Sequence, residues 1–211
     1  SIPVLDDSPD EIALLGRRRV AYYQALGVDS TCLHRSDRAG NKPGALASGV
    51  PSATGDLIAV FYADFVPPPH FLARVVPHFS SSRVGMVQAR WDHLNETRSM
   101  LTRAQALALD RHLVVEQVAR SANGLLFNFN GSAGMWRREC IEGCGGWQAD
   151  TLSEDLDLSY RAQLRGWEFR YLPDVVAPAE VPLGLLAYKQ QQFRWVKGSV
   201  QCLLKHFPGL V

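Results

Sequence analysis

The residues able to do chemistry fall into four groups along the chain. Asp6 and Asp7 close the first apolar segment, and Asp64 follows the third, DLIAVFY at 56–62. In open α/β sheets ligands gather beyond the carboxyl ends of the strands. Carboxylates placed there could hold a divalent cation and the polar face of a nucleotide, since Mg2+ and Mn2+ favour carboxylate and phosphate oxygen. Asp also starts turns and caps, and spacing does not separate the two uses. The second group, His34, Arg35, Arg38 and Lys42, follows the second apolar segment. Guanidinium and ammonium groups there could neutralise a diphosphate, although a solvated loop can have the same composition.

The third group is Thr151-Leu-Ser-Glu154-Asp155-Leu-Asp157 at the start of a helical stretch. Thr151 and Glu154 fit a capping box. Asp155 lies near the helix N-terminus, where the dipole stabilises a carboxylate; it serves either as a cap or as a general base facing an acceptor hydroxyl. The fourth is Gln191-Gln192-Phe193-Arg194-Trp195 on the last helix. Trp suits stacking on a sugar ring and Arg suits clamping phosphate. The same helix, with Lys197 and Lys205, also suits a core or membrane-surface position.

Positioning such groups takes a scaffold, and 211 residues suffice for one packed domain. The expectation is a single domain over 1–211. Hydrophobic residues make up 46% and charged residues 20%, ordinary for a globular protein. A net charge of +1 offers no broad basic field, which argues against nucleic acid as a partner. Cys32, Cys140, Cys144 and Cys202 form no CxxC pair and have no histidine at zinc-ligand spacing, so they read as reduced thiols. No apolar run nears the ~20 residues of a membrane span. The chain opens directly in a strand and stops within a helix, which suggests a piece of a longer protein.

Short apolar runs alternate with helical stretches, which implies an α/β fold with a mostly parallel sheet flanked by helices. Strands are expected at 2–5, 28–34, 56–62, 84–91 and 169–172. Helices are expected at 10–26, with Ile12, Leu15, Val20 and Tyr23 on one side, and at 67–79, opened by three prolines. Another is expected at 97–120, with a stripe of Leu101, Ala104, Ala108 and Val115. The helix at 151–164 should bury Leu152, Leu156, Tyr160 and Leu164, and the one at 183–206 should break near Gly198. The glycine-punctuated stretch 125–135 reads as strand plus loop.

Taken in order, VLDDS (4–8), HRSDRAGNKPGAL (34–46), ADF (63–65), VQARW (87–91), FNGSAGMWRR (129–138), GGW (145–147), SEDLDLSYR (153–161) and QQFRW (191–195) resemble the processive family 2 glycosyltransferases. These include cellulose synthases and the cellulose-synthase-like mannan and glucan synthases. The likeness covers nearly the whole chain, and the ordered set ending in QxxRW is specific where single motifs are not. It implies a GT-A fold, a nucleotide-diphosphate sugar donor of UDP-glucose or GDP-mannose type, Mg2+ or Mn2+, inversion at the anomeric carbon and a polysaccharide acceptor. It also implies work at the cytoplasmic face of a membrane, reached through segments outside 1–211.

Residue by residue, the resemblance assigns Asp6, Asp7, Lys42, Asp64 and Arg194 to the donor, with Asp64 as metal ligand. It assigns Asp155 as catalytic base, and Glu154, Gln191, Trp195, Asn130 and Gly131 to the acceptor. Two departures stand out. Tyr62 occupies the first position of the family's Asp-x-Asp, and the family's opening strand is expected before Ser1. The second departure implies that residues 1–211 alone transfer little sugar. A catalytically degenerate, nucleotide-binding or regulatory module is the competing reading that Tyr62 raises.

Overall fold

The structure is a computed structural model that describes residues 1–8 and 10–210. Strand β1 (Ile2–Asp6) leads to helix α1 (Asp10–Ala25), strand β2 (Ser30–His34), α2 (Asn41–Gly49) and β3 (Leu57–Val60). Then come α3 (Phe71–Val75), β4 (Val84–His93), α4 (Met100–Asp110), a π-helical turn at Arg111–Glu116 and α5 (Gln117–Ala122). Strand β5 (Gly134–Arg137), α6 (Arg138–Gly143), α7 (Glu154–Leu164), β6 (Glu168–Ala179) and α8 (Leu185–Leu210) complete the order.

The fold is α/β, as the alternation implies, and its sheet is mixed. β1 and β2 pair parallel as a two-stranded unit, and a four-stranded sheet has the order β3-β5-β4-β6. β4 and β6 are parallel, while β5 runs antiparallel to both of its neighbours. The chain reaches β5 from β4 through α4 and α5 and enters it in the opposite direction. It leaves a tight loop at 129–133 and turns directly into α6.

Successive side chains of a strand point to opposite faces, and both faces of the four-stranded sheet are covered. Met86 and Trp136 project to one side, into a core with Phe127, Phe129, Cys140, Ile141, Trp147 and Leu158. Val87 and Met135 project to the other, with Phe65, Phe71, Val75 and Val175. Trp136 is fully buried and edge-on to Phe129, Trp147 and Phe169, with centroids 5.3–5.8 Å apart. Burial on both faces explains why these strands read as continuous apolar runs.

Three helices bury a different face from the one their apolar residues suggest. α1 buries Ala13 and Val20 and leaves Ile12, Leu15 and Tyr23 exposed. The α4–α5 stretch buries Thr102, Gln105, Ala106, Leu113 and Gln117, while Ala104, Ala108 and Val115 face outward. α7 buries Glu154, Asp157, Leu158, Ser159 and Ala162, with Leu152 and Leu164 exposed. In each case small or polar side chains with specific partners take the inner positions. The Thr151–Glu154 capping box is also absent: α7 starts at Ser153, whose side chain makes no cap bond.

α8 runs unbroken through Gly198, which serves as a contact instead. A Cβ there would lie 2.0 Å from Ser153 Oγ. Replacing Trp136 by Ala, at the centre of the aromatic cluster, is expected to cost about 3–5 kcal/mol of folding stability, as is usual for emptying a large aromatic site. Chemical denaturation followed by circular dichroism checks this.

Candidate active site

β3, the loop before β5, the start of α2 and the start of α7 meet at one crevice. Lys42 enters it from the first turn of α2. Its Nζ donates to the Tyr62 hydroxyl at 2.5 Å and to the Gly131 carbonyl at 3.0 Å. It also forms an ion pair with Glu154 Oε1 at 2.7 Å. The ammonium lies 4.1 Å from the Tyr62 ring centroid, within cation–π range.

Asp155 sits beside this cluster. Its Oδ1 accepts from the Leu156 N–H at 2.8 Å, and its Oδ2 is turned toward Gly131. Gly131 has φ +83°, and a Cβ at that position would be 2.7 Å from Asp155 Oδ2, 3.0 Å from Lys42 Nζ and 3.1 Å from the Tyr62 hydroxyl. Glycine is therefore required twice here, for its backbone conformation and for the space.

Electrostatics follow from this geometry. Burial, then the neighbouring Glu154 charge, pushes the Asp155 carboxyl up from an ordinary 3.8 to about 6, against the pull of Lys42. Burial opposes the Lys42 charge, but Tyr62, Glu154 and Asp155 together hold its ammonium above the usual lysine range. Burial raises the Tyr62 phenol despite Lys42, so this residue is a neutral hydroxyl at pH 7.

Ser132 and Gln88 hold the Gly131 loop in place. Tyr62 N–H donates to Ser132 Oγ at 2.9 Å, and Trp91 Nε1 donates to the Ser132 carbonyl at 3.1 Å. The fully buried Gln88 amide donates to the Ser132 and Ala133 carbonyls and accepts from Asn130 N–H at 2.9 Å. Asn130 Oδ1 in turn accepts from Asn128 and Gln117. Gln88 was signalled by its place in the VQARW motif and as a polar residue inside an apolar strand; Ser132 was signalled only by its motif.

The other sequence-derived residues are placed as follows. Asp7 is paired bidentately with Arg35, at 2.9 and 2.5 Å, which holds its carboxyl below the usual range. Arg35 also donates to the Ala39 and Asn41 carbonyls, shaping the loop that presents Lys42. Asp6 meets His34 Nδ1 at 2.9 Å and accepts from Ser8 N–H. Burial opposes its ionised form, yet these bonds keep it below the usual range.

Asp64 is exposed in the turn two residues beyond Tyr62. Glu154, expected on the acceptor side, is buried against Lys42. Gln191, Arg194 and Trp195 lie on α8, Gln191 partly buried and Arg194 and Trp195 exposed. Arg194 and Trp195 lie four and three residues before Gly198, on the helix face that packs on Ser153 beside Glu154.

Among the described residues no group of three His, Cys, Asp or Glu side chains is gathered as a metal site. Asp64 is an exposed carboxylate in the turn that follows Tyr62. A divalent ion commonly takes one or two protein carboxylates and completes its shell with substrate phosphate and water, so Asp64 fits such an ion only in company with a phosphorylated ligand.

Against known proteins, the family described as "Glycosyltransferase like family 2" matches residues 18–198. Probable glucomannan 4-beta-mannosyltransferase 7 of Oryza sativa subsp. japonica is 43% identical over 209 residues, 97% of this chain and 36% of that protein. Probable glucomannan 4-beta-mannosyltransferase 6 of the same organism is 40% identical over 211 residues, 98% of this chain and 37% of that protein. The chain thus spans little more than a third of the length of these curated relatives.

The structure of the mannosyltransferase PcManGT from Pyrobaculum calidifontis in complex with GDP-Man and Mn2+ superposes with a TM-score of 0.77, at 22% identity, over 99% of this chain and 55% of that one. GalNAc-T7 with UDP, GalNAc and Mn2+ gives 0.63 at 14% identity, over 87% of this chain and 38% of that one. At these identities the likeness establishes a shared fold, GT-A.

Since Lys42 is the cation that favours ionised Asp155, Lys42→Met is expected to move the Asp155 midpoint upward from about 6. Carboxyl-carbon NMR titration reads this directly, and an unmoved or lowered midpoint would contradict the electrostatics above.

Proposed function

Because the chain belongs to glycosyltransferase family 2, we propose that residues 1–211 form a single GT-A catalytic domain. Its activity is inverting hexosyl transfer from a nucleotide diphosphate sugar to a polysaccharide. The observation that carries this reading is the crevice itself: Lys42, Tyr62, Gly131, Glu154 and Asp155, from four separate segments, gather around one carboxylate with a raised pKa. Such a carboxylate suits general base work near neutral pH. The relatives named as glucomannan mannosyltransferases, and PcManGT bound to GDP-Man, favour a mannosyl group and a GDP donor.

On this reading Asp155 Oδ2 takes the proton from the acceptor hydroxyl as that oxygen attacks the anomeric carbon from the face opposite the leaving diphosphate. Lys42 sets the charge of the Glu154–Asp155 pair and fixes the Gly131 loop, and Asn130 and Gly131 line the acceptor's approach. Asp7 and Arg35, locked together, shape the donor edge with Asp6. Arg194 gives the diphosphate a bidentate donor and Trp195 gives a sugar ring a stacking face. Orienting both partners turns an encounter into a near-unimolecular step. Asp64 would hold Mg2+ or Mn2+ against the diphosphate, where the ion's role is to neutralise leaving-group charge.

No helix among the described residues is long and apolar enough to cross a membrane. α8 nevertheless exposes an apolar ridge of Phe193, Val196, Val200, Leu204 and Phe207 on the side away from its packed face. This ridge supports placing α8 against membrane or further protein at a cytoplasmic membrane face, supplied outside 1–211. The degenerate-module reading rests on Tyr62, whose phenol is engaged by Lys42 rather than offered to a metal.

Assay of the full-length protein in membranes against a panel of GDP- and UDP-sugars tests the proposal, with GDP-mannose expected to be the best donor; binding without transfer from any donor would favour the module instead. Asp155→Asn is expected to lower transfer ~10²–10⁴-fold. The wild-type rate should rise with pH through about 6 and level off above it. The sign is that of a base that must lose its proton, and the raised pKa means the fold itself favours the protonated form between about 4 and 6. Mn2+ is expected to bind detectably only with a nucleoside diphosphate present, and Asp64→Ala should abolish that joint binding in a calorimetric titration.

A further inference from the structure

From Leu185 to Lys197 no residue of α8 is buried; the first buried positions are Gly198, Cys202 and His206, four residues apart along one face. The half of the helix that carries Arg194 and Trp195 is therefore placed by the other half. That half is anchored on the 148–157 segment. Gly198 sits on Ser153, Gln201 accepts from the Leu152 N–H at 2.9 Å, and Cys202 donates to the Ser153 carbonyl at 3.4 Å. Lys205 reaches Gln148 and Asp150 at 2.8–2.9 Å.

At the centre is Asp157, which is wholly buried. Its Oδ1 meets His206 Nε2 and Lys205 Nζ, each at 2.8 Å, and its Oδ2 takes Arg161 at 2.8–2.9 Å. Arg161 then donates to the Gly146 carbonyl at 2.8 Å and to the Cys144 carbonyl, which ties in the glycine loop before Trp147. Two positions along a helix is a rotation of roughly 200°, so Asp157 points away from the crevice that Asp155 faces. It has no route to a substrate.

We propose that Asp157 is a positioning residue. By clasping Lys205 and His206 to α7, it fixes α8 so that Arg194 and Trp195 overhang Asp155. Burying a carboxylate with two or three cations is weak evidence for net stability, since desolvation offsets much of the attraction. The clasp does specify one register of α8 on α7. A helix shifted by one residue would take Gly198 off Ser153 and rotate Arg194 and Trp195 roughly 100° away. The inference rests on the proposed roles of Arg194 and Trp195.

The test is a double-mutant cycle on transfer by the full-length protein in membranes, with thermal melting recorded for each variant. Asp157→Asn is expected to lower transfer ~10–100-fold, the scale of a small misplacement. In an Arg194→Ala or Trp195→Ala background the same change should cost no more than ~2-fold, because the groups it positions are already gone. The melting shift should be the same in all backgrounds. If Asp157→Asn does not fold, the pair Lys205→Met with His206→Gln releases α8 while leaving Asp157 its Arg161 partner, and the same non-additivity is expected. Losses that multiply independently in every background overturn the inference while leaving the proposed function standing. Silent Arg194→Ala and Trp195→Ala variants instead remove the roles on which it rests, and the inference falls with them.

Discussion

The Lys42 ammonium, partly withdrawn from water between Glu154, the Tyr62 hydroxyl and the Gly131 carbonyl, is the contact on which the crevice depends. It joins the start of α2, the end of β3, the loop before β5 and the start of α7, none of which is bonded to the others by sheet pairing at that point. A buried cation needs partners to offset its desolvation. Those partners also border Asp155, the carboxylate proposed as the base. The same constraint explains the neighbouring phenol. A hydroxyl at position 62 can accept from Lys42 without adding a third negative charge beside Glu154 and Asp155, which are already close enough for one to raise the other.

Around this point the scaffold divides its work between apolar and polar packing. The aromatic cluster of Phe129, Trp136, Trp147 and Phe169 fixes the sheet to α6 and α7 by area and shape. The loop over it is held by directed bonds from Gln88 and to Ser132. Dispersion and burial set distance but not orientation, and a crevice that must aim a carboxylate oxygen needs both. The same division recurs at α8, where Gly198 permits close approach and the Asp157 clasp sets the register.

Much of the fold was legible in the residues. The strands β1, β2, β3 and β4 fall where short apolar runs predict them; for β3 and β4 the reason is that a sheet covered on both faces is lined mostly by apolar side chains. The segment that carries Lys42 and the glycine loop at 129–134 were also legible as motifs, although the sequence did not show that α2 begins at Asn41 and takes Lys42 into its first turn. The faces of α1, α4 and α7 were not. Hydrophobic periodicity assumes that the inner face is the apolar one. Here the inner faces carry Ala13, Gln105, Gln117, Glu154 and Asp157, each admitted by a particular partner or by the need for a small side chain. Gly198 shows the same limit: read locally it is a helix breaker, and in the structure it is the place where two helices touch.

By itself the sequence determined the order of elements, the types of chemical group available and the family to which they belong, because these reside in local patterns and ordered motifs. Tertiary structure alone decided that Lys42 meets a carbonyl 89 positions away at Gly131 and that Glu154 faces Lys42. It also decided that Asp155 stands near neutrality in its proton affinity. Dielectric surroundings and charge proximity belong to points in space, and no spacing along the chain encodes them.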